Sequence, residues 1–143
     1  MASLRQTQLR LSRRRDIIDD ALEDFVQKRM SGAQAPAMAL AREVLLAGGK
    51  RFRPILAMLA YEAAGGEDND KVMDLAIAAE LIHTATLVHD DIYDFAKTRR
   101  GKPTLHANYG LAQGIIAGDY LFVLGFGLGG RYDANIVEIM ADT

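Results

Sequence analysis

The stretch VMDLAIAAELIHTATLVHDDIYDF, Val72 to Phe95, is the longest uninterrupted periodic segment of the chain, and its reading decides the fold. It is rich in Ala, Leu, Ile and Met, and it contains neither Gly nor Pro, so propensity and apolar pattern both predict one long α-helix. The end of that helix is acidic. Asp90 and Asp94 are four residues apart and Asp91 and Asp94 three apart, which brings the carboxylates near one face within a single turn. Like charges at this spacing repel, and a helix C-terminus already carries partial negative charge, so each effect costs a few tenths to about 1 kcal/mol. Something positive has to compensate.

The residues that follow are basic: Lys97, Arg99, Arg100 and Lys102 all fall between Phe95 and Pro103. Two compensations are open. In one, these side chains fold back as surface ion pairs, each worth about 0 to 1 kcal/mol. In the other, a hard divalent cation sits on the carboxylates. All-oxygen ligands suit Mg²⁺, which binds through one or two carboxylates, water and substrate phosphates, while guanidinium groups hold phosphate oxygens bidentately. Two further features bear on the choice. His83 lies seven residues, about two turns, before Asp90 and interrupts an apolar stripe, although a satisfied core histidine fits that position too. GGKRFRP, Gly48 to Pro54, joins paired glycines to the cations Lys50, Arg51 and Arg53, and reads either as an anion site or as a solvated basic turn.

Outward from this centre the chain reads as further helices. Ile17, Ile18, Ala21, Leu22, Phe25 and Val26 form one stripe of an amphipathic helix, whose basic start is read as solvated. SGAQAP breaks it, Pro36 enters the first turn of a second helix, and AMALAREVLLA runs to the Gly48-Gly49 stop. ILAMLAYEAA predicts a third helix, begun by Pro54 and ended by the loop GGEDND. Pro103 is expected to start a short helix, and LAQGIIAGDYLFVLGF to form another, weakened by glycines. GFGLGG at 125–130 fits G-x-G-x-x-G in form, but no strand precedes it, so a Gly-rich kink or helix end is expected instead of a dinucleotide site. Strand signals are poor, and the fold class is all-α with antiparallel helices.

Composition sets the outer bounds. The chain has 143 residues, half of them hydrophobic, enough for one real core. A net charge of -2 gives no global basic field and argues against nucleic acid as a partner. The absence of cysteine removes disulfides and thiolate metal sites and makes a reducing cytoplasm the simplest compartment. Polar residues and glycines interrupt every apolar run, so no transmembrane segment is expected.

Taken together, GGKRFRP, ELIHTATLVHDDIYD, TRRGKPTLH and GIIAGDYLF resemble, in order and approximate spacing, the trans-isoprenyl diphosphate synthases, the head-to-tail prenyltransferases. The resemblance makes residues 1–143 the N-terminal portion of a polyprenyl synthetase domain, and implies an incomplete antiparallel bundle of the isoprenoid synthase type. It also implies that Asp90, Asp91 and Asp94 form the first aspartate-rich motif, with Mg²⁺ as cofactor bridging the allylic diphosphate and Arg99 on that same diphosphate. Lys50, Arg53, His83 and Arg100 would hold isopentenyl diphosphate, with Arg51, Lys97 and Lys102 as less certain contributors. Product length would be gauged at Ala85 and Thr86, where the absence of an aromatic residue implies a long prenyl chain. A homodimer, or pairing with a chain carrying the C-terminal half, is the implied assembly.

One part of the family pattern is missing. The second aspartate-rich motif has no counterpart: after Asp119 only Asp133, Glu138 and Asp142 remain acidic, in no comparable spacing. A fragment that is inactive alone is the expectation. A naturally short subunit of a two-chain synthase, a non-catalytic prenyl-diphosphate-binding module and a plain helical interaction module are the alternatives. The last would show no Mg²⁺-dependent stabilisation by a diphosphate.

Overall fold

The computed structural model describes residues 3–142. In chain order the elements are α1 (Leu4–Gln27), α2 (Ala35–Leu45), α3 (Phe52–Ala63), α4 (Asp70–Tyr93), a ribbon of β1 (Thr98–Arg99) and β2 (Lys102–Pro103), α5 (Leu105–Tyr109), α6 (Leu111–Gly129) and α7 (Ala134–Asp142). α1 begins at a capping box in which the Ser3 hydroxyl accepts from the Gln6 N–H and the Gln6 side chain accepts from the Ser3 N–H. Residues 4–13 of it are exposed, and its core stripe is Ile18, Leu22, Phe25 and Val26. Ile17, expected in that stripe, is instead about half exposed. Pro36 lies in the first turn of α2 and Pro54 in that of α3, where a missing N–H leaves no helical bond unmade.

The central helix is α4. Val72, Ala76, Ile77, Ala78, Leu81, Ala85 and Val88 are all buried, and their positions go round the helix because α3 and α6 pack on different sides of it. The α4–α6 interface is the most extensive in the molecule. Added Cβ atoms show why. At Gly125 a Cβ would lie 2.6 Å from Ile82 Cγ1 and at Gly118 2.2 Å from His89 Nε2, so positions seven apart on one helix meet positions seven apart on the other, in reverse order. The two helices are thus antiparallel and nearly in backbone contact.

The GFGLGG stretch holds the helix end, as expected: α6 runs to Gly129 and is capped at Gly130. It continues past Phe126 because close packing against α4 outweighs the propensity cost of about 1 kcal/mol per glycine. Two neighbouring substitutions separate the effects. Gly125→Ala should cost about 1 to 3 kcal/mol by overpacking, whereas Gly127→Ala, exposed and with open space at its Cβ, should gain about 0.5 to 1 kcal/mol. Urea-unfolding midpoints of the two variants should move in opposite directions.

Two expectations are corrected. Pro103 pairs with Thr98 in the ribbon, and the short helix begins only at Leu105. The basic loop is a hairpin: Arg100 and Gly101 both have positive φ, 52° and 77°, the pair that a two-residue type I′ turn requires. α4 and α6 also have the length and mean hydropathy of a membrane span, 1.3 and 1.5 over their apolar windows, since isolated polar residues barely lower an average. α4 is a core helix, with half of its window buried and its buried Glu80 and Asp91 each paired with arginine. α6 buries a third of its window and leaves Leu111, Ile115, Ile116 and Val123 on an exposed side.

Candidate functional site

Two turns and one helix end build the site. The first turn, Gly48 to Arg53, links α2 to α3. Within it Arg51 has left-handed backbone, φ 51° and ψ 36°, uncommon for a residue with a Cβ. Its side chain is 3% exposed and all three of its nitrogens are engaged. Nε donates to Asp19 Oδ1 at 2.8 Å, one terminal nitrogen to Glu80 Oε1 at 2.7 Å, and the other to the Leu45 carbonyl at 2.9 Å. Burial opposes the charge on Arg51, but the hydrogen bonds to Glu80 and Asp19 outweigh it and raise the pKa. Arg51, read from sequence as a contributor to anion binding, is therefore a buried structural cation. Lys50 and Arg53 on either side of it are exposed.

The hairpin is the second turn. Arg100 at its tip donates to the Gly48 carbonyl and ties the two turns together. A Cβ at Gly49 would lie 3.4 Å from an Arg100 nitrogen, an ordinary van der Waals contact that places the two turns side by side. One cavity of about 440 Å³ is lined by Lys50, Arg53, Glu80, His83 and Arg100. A second of about 380 Å³ is lined by Asp91, Arg99, Arg100 and Lys102, with Glu43 and Asn108 opposite. A smaller cleft shares His83 with the first, Asp91 with the second and Arg100 with both.

The end of α4 contributes the acids, and the structure separates the three. Asp91 is 5% exposed and both its oxygens accept from Arg99 Nε, at 2.8 and 3.0 Å. Asp90 and Asp94 are exposed, and neither carboxylate pairs with a described residue. No group of three His, Asp or Glu converges on one point among the described residues. Of the basic residues after the helix, Arg99 thus forms an ion pair, while Lys97 and Lys102 remain exposed. Ala85 lies fully buried in the core, and Thr86 is exposed, its hydroxyl donating to the His83 carbonyl.

His83 is half-buried. Burial and then the neighbouring Arg53 hold its pKa below the ordinary value, Glu80 opposes this, and Arg100 and Arg99 add to it. Between the folded and unfolded values the unfolded chain binds the proton and the folded chain does not, so stability falls as the pH drops below about 6.5. A bound anion favours the imidazolium instead. Pyrophosphate binding should therefore take up more protons in the wild-type protein than in His83→Gln, measured by calorimetry in buffers of different ionisation enthalpy. Equal proton uptake in both would exclude His83 from the site.

A family profile of polyprenyl synthetases matches residues 35–143. The chain belongs to the polyprenyl synthetase family. Among similar curated proteins, the all-trans-nonaprenyl-diphosphate synthase of Rhodobacter capsulatus is 39% identical over 108 residues, 76% of this chain and 33% of the relative. The geranylgeranyl pyrophosphate synthase of Geoglobus acetivorans is 38% identical over 131 residues, 90% of this chain and 40% of the relative. The solved structure of a geranylgeranyl pyrophosphate synthetase from the same archaeon, 37% identical, superposes with a TM-score of 0.78, over 90% of this chain and 42% of that one. The structure of a Caulobacter crescentus polyprenyl synthase complexed with calcium and isoprenyl diphosphate gives a TM-score of 0.78 at 40% identity, over 93% of this chain and 40% of that one. This chain thus spans well under half the length of these relatives, and its helices form a part of the isoprenoid synthase fold.

Sequence reasoning missed Glu80 and Asp19 as members of the site. The available signal was a carboxylate at position 80 inside the apolar helix, one turn before His83, with a surplus arginine in GGKRFRP to match it.

Proposed function

We propose that this chain carries the diphosphate-binding part of a Mg²⁺-dependent head-to-tail prenyltransferase, which condenses isopentenyl diphosphate with an allylic prenyl diphosphate. The observation that carries this reading is the pair of basic cavities sharing Arg100. Such a condensation needs two diphosphates held close together but apart. Lys50, Arg53 and His83 serve the isopentenyl diphosphate, Arg99 serves the allylic one, and Arg100 reaches both. Asp91 fixes Arg99 through its Nε, which leaves the terminal amino groups of the guanidinium to face phosphate oxygens.

The residues present fit a divalent cation. Asp90 and Asp94 are exposed carboxylates one turn apart, paired with no cation among the described residues, the oxygen donor set of a site completed by water and phosphate. Bound there, Mg²⁺ would neutralise charge on the departing diphosphate. The protein's share of the chemistry is electrostatic. As the allylic C–O bond breaks, its electron pair leaves on the diphosphate, where Arg99 and Arg100 stabilise it. The double bond of isopentenyl diphosphate then attacks the allylic cation, and the released diphosphate takes up the proton whose loss restores an alkene, so no side-chain nucleophile is needed.

The same reading extends to product and assembly. A long prenyl product is in keeping with the small, exposed Thr86, and a test of product length belongs there, since Phe at Ala85 would overpack the core. The exposed apolar side of α6 is suited to cover by a second copy or by a chain carrying the rest of the fold. A cytoplasmic setting accords with a sequence free of cysteine. The chain alone is expected to bind diphosphates without turnover. Titration calorimetry should find pyrophosphate binding that strengthens with Mg²⁺, and product analysis with isopentenyl diphosphate and geranyl diphosphate should find no elongation until the missing part is supplied. Absence of any pyrophosphate binding would reject the proposal.

A further inference from the structure

Glu80 is out of place in a cavity meant for anions. It lines the same cavity as Lys50, Arg53, His83 and Arg100, its side chain is 7% exposed, and Oε2 receives no hydrogen bond from a described residue. A carboxylate there lowers the local positive potential, so its effect on a diphosphate through space is unfavourable. It does something else that a neutral residue could not do. Its Oε1 holds Arg51, and Arg51 is the residue of the turn whose backbone is left-handed.

That conformation is unfavourable for a residue with a Cβ, and it persists only where the surroundings over-determine it. Here three helices do so. Asp19 on α1, Leu45 at the end of α2 and Glu80 on α4 each hold one nitrogen of the same guanidinium. The consequence lies in the neighbours. With Arg51 pulled inward, Lys50 and Arg53 on either side remain at the cavity and exposed.

We infer that Arg51 and Glu80 are positioning residues: their buried ion pair fixes the left-handed turn that presents Lys50 and Arg53 to the diphosphate. The inference rests on the diphosphate reading proposed above. It makes a prediction of sign. If Glu80 acted only as a nearby negative charge, Glu80→Gln would tighten anion binding. As a positioning residue, the same substitution loosens it.

The test is the dissociation constant for inorganic pyrophosphate, measured by calorimetry on the full chain, with thermal unfolding followed in parallel. Glu80→Gln should weaken binding about tenfold, the scale on which small misplacements of binding groups are felt. Glu80→Asp, which keeps the charge, should recover most of the loss, and Arg51→Gln/Glu80→Gln should bind no worse than Arg51→Gln alone. Should Glu80→Gln fail to fold, Asp19→Asn touches the same guanidinium from a carboxylate that is 43% exposed, and should weaken binding by about two- to threefold. Unchanged or tighter binding in whichever of these folds overturns the inference while leaving the diphosphate site standing. A wild-type chain that takes up no pyrophosphate overturns both.

Discussion

Arg51→Met is expected to lower the unfolding free energy by about 3 to 5 kcal/mol, because removing one partner of a buried pair leaves the other charge uncompensated. Glu80 has no second described partner to take over: Oε1 bonds only to Arg51, and Oε2 is already unmatched. Methionine keeps comparable volume and, like arginine, carries a Cβ, so backbone strain at φ 51° is the same in both proteins and cancels from the comparison. For a domain of this size the change corresponds to a fall in melting temperature of roughly 10 to 20 °C. Adding Glu80→Met should restore most of it, since an apolar pair of similar volume replaces an ion pair at little net cost. Guanidinium unfolding of the two single variants and the double variant checks both statements. A loss below about 1 kcal/mol for Arg51→Met would mean that water reaches Glu80 and that the pair is a surface one.

The second large effect concerns the acids at the end of α4. Asp90→Ala or Asp94→Ala should weaken pyrophosphate binding about 10- to 100-fold in the presence of Mg²⁺, the scale of a lost charge-assisted contact. Without Mg²⁺ neither substitution should weaken it, because removal of an unpaired carboxylate then only reduces repulsion. Asp91→Asn behaves differently. Its carboxylate holds Arg99, so its loss should weaken binding whether or not the metal is present. Titrations with and without Mg²⁺ thus sort three neighbouring aspartates into two roles. The same Mg²⁺ dependence in all three variants would contradict the geometry of the helix end.

The architecture was legible in the sequence wherever one local rule decided it. Val72 to Phe95 differs from the observed α4, Asp70–Tyr93, by two residues at each end, because nothing in it competes with the helix. α6 was less legible because propensity and packing disagree there: glycines that weaken an isolated helix let this one lie against Ile82 and His89. The hairpin was missed because two residues per strand are too few to show an alternating pattern. At the site, residue types exposed the cations and the acids, but not their division of labour. Whether Asp91 faces Arg99 or solvent depends on a turn that forms eight residues later, and whether Arg51 faces a ligand or the core depends on Asp19 and Glu80, which lie 32 and 29 residues away. Both are questions of tertiary direction, which spacing along one helix does not encode.

The hairpin tip has a practical consequence for anyone engineering this chain. Arg100 occupies a backbone position that asparagine and glycine fill more readily, and it does so beside a glycine that already satisfies half of the turn. A library selected for heat tolerance alone will drift toward Asn-Gly at 100–101 and, in hardening the protein, discard the cation that, among the described residues, faces both cavities. Selection schemes for this chain therefore need a counter-screen on ligand retention, with codon 100 held fixed until that screen is in place.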